Sequence, residues 1–243
     1  MNLADDAEIL ALMKAAGFIR VFLGIETPVE ASLKEAHKLQ NTQRSLLDSV
    51  RCIQQHGIEV MAGFIVGFDN DPEDVFDRQV EFIEESAIPI AMVGLLQALP
   101  GTQLYRRLES EGRLVSDANG NNIDCNLSFI PTMSTQRLLD GYRSILKRIY
   151  APDAYYDRVR RFLERYQPTR TRRSLSEYIA LCRSVVKQGI LDDARASYWK
   201  FLIDAATRYR HAFGTAVTLA ILGYHFNAVT QAVCQPRQGI GTQ

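Results

Sequence analysis

Closely spaced cysteines, a secretory leader and a clean membrane-spanning run are all missing from this sequence. Its 243 residues include four cysteines, Cys52, Cys125, Cys182 and Cys234, which lie far apart in the chain. The ligands of zinc and iron–sulfur sites typically come in close pairs or triplets, so this spacing predicts neither kind of site. Scattered thiols in a chain of this size instead favour a reducing, cytoplasmic compartment.

The first residues and the most apolar segment both argue against a membrane protein. Residues 2–6 are Asn-Leu-Ala-Asp-Asp, an acidic helix start in place of the basic and apolar regions of a signal peptide. The stretch 212–229 is the most apolar, but it contains two threonines, a histidine and an asparagine. A typical span needs about 20 predominantly apolar residues, so a buried helix is favoured.

Charge of one sign is also missing overall, because 28 Lys and Arg residues balance 28 Asp and Glu residues. Residues 1–133 nevertheless hold 10 basic and 20 acidic residues, whereas residues 134–243 hold 18 and 8. This split predicts two differently built halves that attract each other. Arginine-rich helix faces are usually only solvated, so no nucleic-acid partner is expected, and a membrane surface is kept as a lesser alternative.

The acidic half repeats a helix followed by an apolar run. Helix starts are predicted at Asp5, with Glu8 completing a capping box, at Thr42 and at Pro72. The apolar runs that follow are 18–25, 58–66 and 90–96. Apolar runs without polar alternation indicate strands buried on both faces, which means a parallel sheet of three βα units.

The basic half shows no strand pattern, and we predict an α/β unit at 1–133 followed by an all-α unit at 134–243. After an irregular connector at 113–133, apolar residues recur at helical spacing from 138 to 149. Further helices are predicted at 153–166, 174–188, 190–208 and 211–230. Three parallel strands leave two open edges, whereas a complete barrel has about eight βα units. We therefore expect a partial barrel and the C-terminal part of a larger protein.

Polar groups collect where the three predicted strands end. Glu26 and Thr27 follow the first strand, Asp69 the second and Gln97 the third. The strands also carry three glycines, Gly24, Gly63 and Gly67, which would let a flat ligand approach the backbone. Ligands bind at the carboxyl ends of parallel strands, so we expect a single groove there. Two alternatives stay open: these residues cap the following helices, or Glu26 and Asp69 form the acid–base pair of an unrelated enzyme.

These strand ends resemble strands four to six of the barrel in radical S-adenosylmethionine (SAM) enzymes, in particular the cobalamin-binding branch. The resemblance is carried by 21–28 (VFLGIETP), 62–69 (AGFIVGFD) and 95–102 (LLQALPGT). The basic half, with 141–150 (GYRSILKRIY) and Tyr155-Tyr156, resembles the uncharacterised helical domain, DUF4070, that follows the barrel in one subgroup.

The resemblance implies a cofactor-binding role for eight residues, Gly24, Glu26, Thr27, Gly63, Ile65, Gly67, Asp69 and Gln97. Those of the first strand would contact the ribose and amino-acid part of SAM. Those of the second match a G-x-I-x-G strand that packs along adenine, and the glutamine would face the cavity. The family pattern often ends in a Glu where Asn70 stands here, so Asp69 beside it is the expected substitute.

Three parts of the family pattern are missing from this sequence. They are the C-x-x-x-C-x-x-C segment that holds a [4Fe–4S] cluster, the glycine-rich motif of strand two and the cobalamin domain. The resemblance therefore implies SAM, a [4Fe–4S] cluster and cobalamin for a full-length parent, with the cluster and cobalamin sites outside this chain. The implied partners are the missing N-terminal barrel half, the cobalamin domain and a small-molecule substrate.

The expected function is that of a fragment of a cobalamin-dependent radical SAM enzyme. The parent would be a methyltransferase or a related radical enzyme whose substrate is unidentified, with a lipid as one candidate. The chain alone is expected to be inactive. The alternative is a non-catalytic interaction module, in which the helices from 174 to 230 dock a partner through an exposed apolar patch.

Overall fold

The computed structural model describes residues 2–36, 45–115, 126–168 and 175–235. Three parallel strands form one sheet in the order β1-β2-β3, with β1 at Arg20–Glu26, β2 at Glu59–Val66 and β3 at Ile90–Leu95. The prediction of an α/β partial barrel with three parallel strands, followed by a helical unit, is confirmed.

The described part of the first half also forms helices α1 Ala7–Ala15, α2 Glu30–Glu35, α3 Leu46–Gln55, α4 Val75–Ser86 and α5 Gln103–Ser110. The side chain of Asp6 caps α1 by accepting from the N–H of Ile9 at 2.9 Å. The predicted cap at Asp5 is therefore wrong by one residue, because Asn2–Asp5 form a 3-10 turn. Likewise, α4 begins at Val75 rather than at Pro72, and Thr42 lies outside the described residues.

The described part of the second half forms helices α6 Thr135–Ile149, α7 Pro152–Arg165, α8 Leu175–Ser184, α9 Arg195–Thr207 and α10 Phe213–Cys234. Between α8 and α9 the chain winds as a π-helix, Val185–Leu191, so the predicted helix break at residue 189 is wrong. Gln188 is buried within this segment, where it donates to the hydroxyl of Ser184 (2.9 Å) and accepts from that of Tyr156 (3.1 Å). The spacing of apolar residues in the sequence cannot predict hydrogen bonds of a buried polar side chain such as Gln188.

The two faces of the sheet have different neighbours. Ala62 and Phe64 of β2 are buried on the side covered by α3 and α4, where the rings of Phe64 and Phe82 meet edge to face. Because side chains alternate along a strand, Gly63 and Ile65 lie on the opposite, inner face. They are only half-buried there.

A seam of aromatic and charged side chains joins the helical half to the sheet. Tyr150, at the end of α6, donates its hydroxyl to the carbonyl of Ala91 in β3 at 2.7 Å. Arg158 of α7 is fully buried and binds Glu84 of α4 and the carbonyl of Ile149. Basic residues of the second half therefore meet acidic residues of the first. One hydrophobic core includes residues of both halves, and the predicted domain boundary stays a prediction.

Among the described residues, one helical segment, Arg210–Cys234, could cross a membrane by length and composition alone. Its most apolar window has a mean hydropathy of 1.3 and is 33% buried. The core helix of a soluble protein passes the same test, and α10 packs against α6, α7, α8 and α9. The cytoplasmic location stays a prediction.

Candidate functional site

A cavity of about 380 Å³ lies between the inner face of the sheet and helices α6 and α10. We call the side formed by the strands and their ends the sheet wall, and it includes Gly24, Glu26, Gly63, Ile65, Met92 and Gln97. We call the opposite side the helix wall, and it includes Tyr142, Leu146, Phe226, Val229, Thr230 and Val233. The sheet wall is partly polar and bears glycines, whereas the helix wall is mostly apolar.

Glu26 reaches the cavity from an unusual backbone conformation at the end of β1. Its φ is 68°, a left-handed value that strains a residue with a Cβ. The N–H of Thr27 donates to the carbonyl of Ile25 at 2.9 Å, which closes a γ-turn around Glu26. The register with β2 also shifts between Gly24 and Glu26. Strained residues of this kind cluster at binding and active sites, which favours a functional role for Glu26.

Thr27 shapes the turn that presents Glu26. Its side chain is fully buried, and its hydroxyl accepts from the N–H of Val29 at 3.2 Å. Val29 is the N-cap of α2, and that helix start has no side-chain cap bond. The N-cap position of α2 is therefore Val29 rather than Glu26, and the contact of Thr27 with SAM stays a prediction.

The two glycines near the end of β2 face different neighbours. A Cβ on Gly63 would stand 3.0 Å from the ring of Phe22, so this ring lies against the glycine where the sequence predicts the planar ring of a ligand. Gly67 has a φ of 105°, and a Cβ there would stand 3.1 Å from Leu138 of α6. Gly67 therefore permits a turn packed under α6, and it does not belong to the cavity lining that the described residues form.

Asp69 is held in a polar network that we call the Asp69 brace, made of Asp69, Arg107, Arg113, Thr132 and Glu35. Arg113 donates to both carboxylate oxygens of Asp69 at 2.7 and 2.9 Å, and the hydroxyl of Thr132 donates at 2.7 Å. Arg107 bridges Asp69 (3.0 Å) and Glu35 of α2 (2.8 Å). Hydrogen bonding to Arg113 lowers the pKa of Asp69, although burial opposes this. The structure therefore offers no support for Asp69 as half of an acid–base pair.

Asp71, which sequence reasoning considers only as a cap of the next helix, folds the loop after β2 instead. Its carboxylate accepts from the N–H groups of Gly67 (2.8 Å) and Phe68 (3.1 Å) and from the hydroxyl of Ser32 (2.6 Å). Burial raises its pKa, although these hydrogen bonds oppose the rise. The sequence Asp-Asn-Asp-Pro could have given the signal, because Asp side chains bond to nearby backbone in such loops.

The end of β3 combines a cavity residue with a helix cap. Gln97 lines the cavity, and its amide donates to the carbonyl of Asn126 at 3.0 Å. Thr102 accepts from the N–H of Tyr105 at 3.1 Å and so caps α5. The segment 100–102 is therefore a turn followed by an N-cap.

Of the eight predicted site residues, the structure brings together Gly24, Glu26, Gly63, Ile65 and Gln97 around one cavity. Thr27, Gly67 and Asp69 shape the adjoining turns and the Asp69 brace instead. All eight assignments to SAM stay predictions. The arginines and the threonine of the brace could not be assigned from the strand-end motifs, because they lie far from Asp69 in the sequence.

The sheet wall fits a SAM-like ligand, whereas the cysteines do not fit an iron–sulfur cluster. Small-molecule sites commonly measure about 300–1,000 Å³, and a flat group would reach the backbone at Gly63 once the ring of Phe22 moved aside or stacked on it. Cys52, Cys182 and Cys234 lie on three separate helices, and Cys125 lies outside the described residues. Within the described ranges, no three His, Cys, Asp or Glu side chains are grouped to hold a metal ion.

Comparison with known proteins identifies the family. Residues 102–238 match the family model described as a domain of unknown function, DUF4070. This chain belongs to the DUF4070 family. It is 38% identical over its full length to an uncharacterized methyltransferase of Synechocystis sp., of which it covers 46%.

Two further relatives extend this similarity. The hopanoid C-2 methylase of Rhodopseudomonas palustris is 35% identical over 84% of the DUF4070 chain and is itself covered to 40%. The anaerobic magnesium-protoporphyrin IX monomethyl ester cyclase of Cereibacter sphaeroides is 23% identical over 80% of the chain, with 31% of the cyclase covered. The chain thus spans less than half the length of these relatives. They are of the radical SAM type, which confirms the resemblance based on the strand-end motifs.

Proposed function

We propose that this chain is part of a cobalamin-dependent radical SAM methyltransferase, or of a related radical enzyme, and that its sheet wall forms part of the SAM site. The strained γ-turn that presents Glu26 to a glycine-bearing cavity is the observation that carries this proposal. The names of the relatives, among them a methyltransferase and a methylase, support methyl transfer as the reaction.

Each sheet-wall residue has a distinct task in this proposal. Gly63 and Ile65 pack along adenine, for which the ring of Phe22 must move aside or stack. Gly24 leaves room for the ribose, and the Glu26 carboxylate accepts hydrogen bonds from the ribose hydroxyls or the ammonium group of SAM. Gln97 contacts the ligand from the end of β3, while Thr27, Gly67 and Asp69 hold the surrounding turns.

Other parts of the parent protein hold the remaining cofactors. When bound, a [4Fe–4S] cluster and cobalamin supply the radical and methyl-carrying chemistry, and the partners that hold them are an N-terminal barrel half and a cobalamin domain. The substrate is a small molecule, the location is cytoplasmic, and nucleic acid is not a partner. The chain alone binds SAM weakly and does not turn it over.

Calorimetric titration of the chain with SAM tests this function. We expect one weak SAM site per chain in the wild type and no measurable binding in Gly63→Val, because the branched side chain fills the sheet face. Gly214→Val is the matched control, because nothing lies within 4 Å of a Cβ at Gly214. The proposal fails if saturating SAM gives no heat with the wild type, or if both variants bind equally.

A second candidate function, an interaction module, is favoured by an outward-facing apolar stripe on α8 and the π-helix. Its exposed members are Leu175, Ile179, Val186, Ile190 and Leu191. Exposed apolar patches often mark interaction surfaces. Ile179→Ser should then weaken the self-association of the chain in sedimentation equilibrium, whereas an unchanged association would remove this candidate.

A further inference from the structure

We propose that the helical DUF4070 unit selects the substrate, and that α10 holds an uncharged, largely hydrocarbon part of it against the sheet wall. This inference rests on the proposed function and deepens it. It gives the helical unit a task in the same cavity and names the chemical class of the ligand.

Three contacts fix α10 over the cavity. A Cβ on Gly223 would stand 2.2 Å from the ring of Tyr155, so this glycine lets α10 approach α7 closely. One turn later, the ring of Phe226 stacks on that of Tyr150 with centroids 5.1 Å apart. The side-chain amide of Asn227 donates to the carbonyl of Tyr150 at 2.8 Å. The next turns of α10 are thereby held at the cavity.

Tyr150 also sets the spacing between the two walls. Its hydroxyl donates to the carbonyl of Ala91 in β3, and its ring stacks on that of Phe226 in α10. Burial raises the pKa of Tyr150 to about 12, so the hydroxyl stays protonated and donates. A single buried side chain therefore connects the sheet wall to the helix wall, and the position of α10 follows that of β3.

The chemistry of the helix wall defines its ligand. Phe226, Val229 and Val233 of α10 contribute apolar surface, and Leu146 of α6 adds to it. Among the described lining residues the only formal charge is that of Glu26, on the sheet wall. A charged group placed against α10 would lose its hydration without a partner. A ring or chain of hydrocarbon would instead gain from burial.

Titration with the uncharged fluorescent dye N-phenyl-1-naphthylamine tests this assignment. Val229→Phe fills the helix wall and should weaken dye binding at least about tenfold, which equals about 1.4 kcal/mol. Ala232→Phe is the matched control, because Ala232 is an exposed residue of the same helix and should leave dye binding unchanged. Ile179→Ser, on the outward stripe, should also leave the tight dye site unchanged.

A conservative variant keeps the test valid if Val229→Phe unfolds. Val229→Thr preserves the shape of the side chain and replaces one methyl group by a hydroxyl. It should weaken binding of the dye about threefold, because the hydroxyl makes the helix wall more polar. Equal dye binding in the wild type and both Val229 variants overturns the inference. So does the absence of a saturable dye site in the wild type.

Parallel SAM titrations separate this inference from the proposed function. Dye binding that depends on Val229, in a chain that does not bind SAM, supports the hydrocarbon site and rejects the SAM site. If Gly63→Val abolishes SAM binding but the Val229 variants bind the dye like the wild type, the SAM site is supported and the role of α10 is rejected.

Discussion

The two edges of the three-stranded sheet differ in how far other parts of the chain cover them. At β3, α6 packs against the strand and Tyr150 binds its backbone, while Arg158 closes the seam behind it. At β1, the large apolar residues Phe18, Ile19 and Phe22 are each more than half exposed. Among the described residues, the helical half packs along β3, whereas these three residues on the β1 side stay exposed. The β1 side keeps the kind of surface that a neighbouring strand covers in a complete barrel.

The largest expected effect lies on the closed side, at Arg158. Replacing it in Arg158→Met removes a fully buried guanidinium and leaves Glu84 without one of its two arginine partners. We expect a loss of about 3–5 kcal/mol in the free energy of unfolding, measured with urea. Arg148→Met breaks a solvent-exposed pair with Asp77 and should cost less than about 1 kcal/mol. Equal losses would show that the seam does not hold the halves together.

The next effect tests the link from α6 to β3. Tyr150→Phe keeps the ring but leaves the buried carbonyl of Ala91 without its donor, which should cost about 1–3 kcal/mol. Tyr178→Phe, at an exposed position of α8, should not change the melting temperature. A Tyr150→Phe protein as stable as the wild type would contradict the closed-edge description.

Part of this structure was predictable from the sequence for a physical reason. The runs at β2 and β3 are apolar apart from Glu59, so strand formation and parallel pairing follow from their composition. Their composition does not predict that the inner face of β2 is only half-buried. Gly63 and Gly67 look alike in sequence, but one faces the cavity and the other packs under Leu138. Only the three-dimensional path of α6 separates them.

Asp69 and α10 show where sequence reasoning stops. Asp69 accepts hydrogen bonds from Arg113 and Thr132. Both residues lie on a connector whose path no periodic pattern predicts. The apolar character of α10 predicts burial, but it does not say that Val229 and Val233 line the same cavity as Glu26. Long-range placement of this kind depends on tertiary packing.

A moderate effect on the free energy of unfolding is expected at the Asp69 brace, and its dependence on pH can be measured. Because the folded-state pKa of Asp69 is lowered, its contribution to stability is present above the ordinary carboxyl pKa and is lost as pH falls through the lowered value. Asp69→Asn should cost about 1–2 kcal/mol near neutral pH and flatten the acid limb of a stability–pH profile.

The exposed Asp140 provides the control for this profile, because its side chain pairs only at the surface of α6. Asp140→Asn should leave the acid limb unchanged. An acid limb that is the same in Asp69→Asn and the wild type would remove the brace from the description of the site.

The smallest effect on stability is expected on the open side. Phe22→Thr replaces a side chain that is 58% exposed and should change the free energy of unfolding by about 0.5 kcal/mol or less. It should still reduce self-association through the β1 edge, as measured by sedimentation velocity. Leu12→Thr on α1 removes a similarly exposed apolar side chain away from the sheet and should leave association unchanged. Identical association in both variants would contradict an open, adhesive edge.

Titration of the ¹⁵N-labelled chain with SAM, followed by amide chemical shifts, tests whether the sheet wall of the cavity binds SAM. We predict that the largest shifts occur at Gly24, Glu26, Gly63 and Gln97 and saturate together as a single site. Shifts that cluster elsewhere, for example along the outward face of α8, or no shifts at saturating SAM, would contradict it.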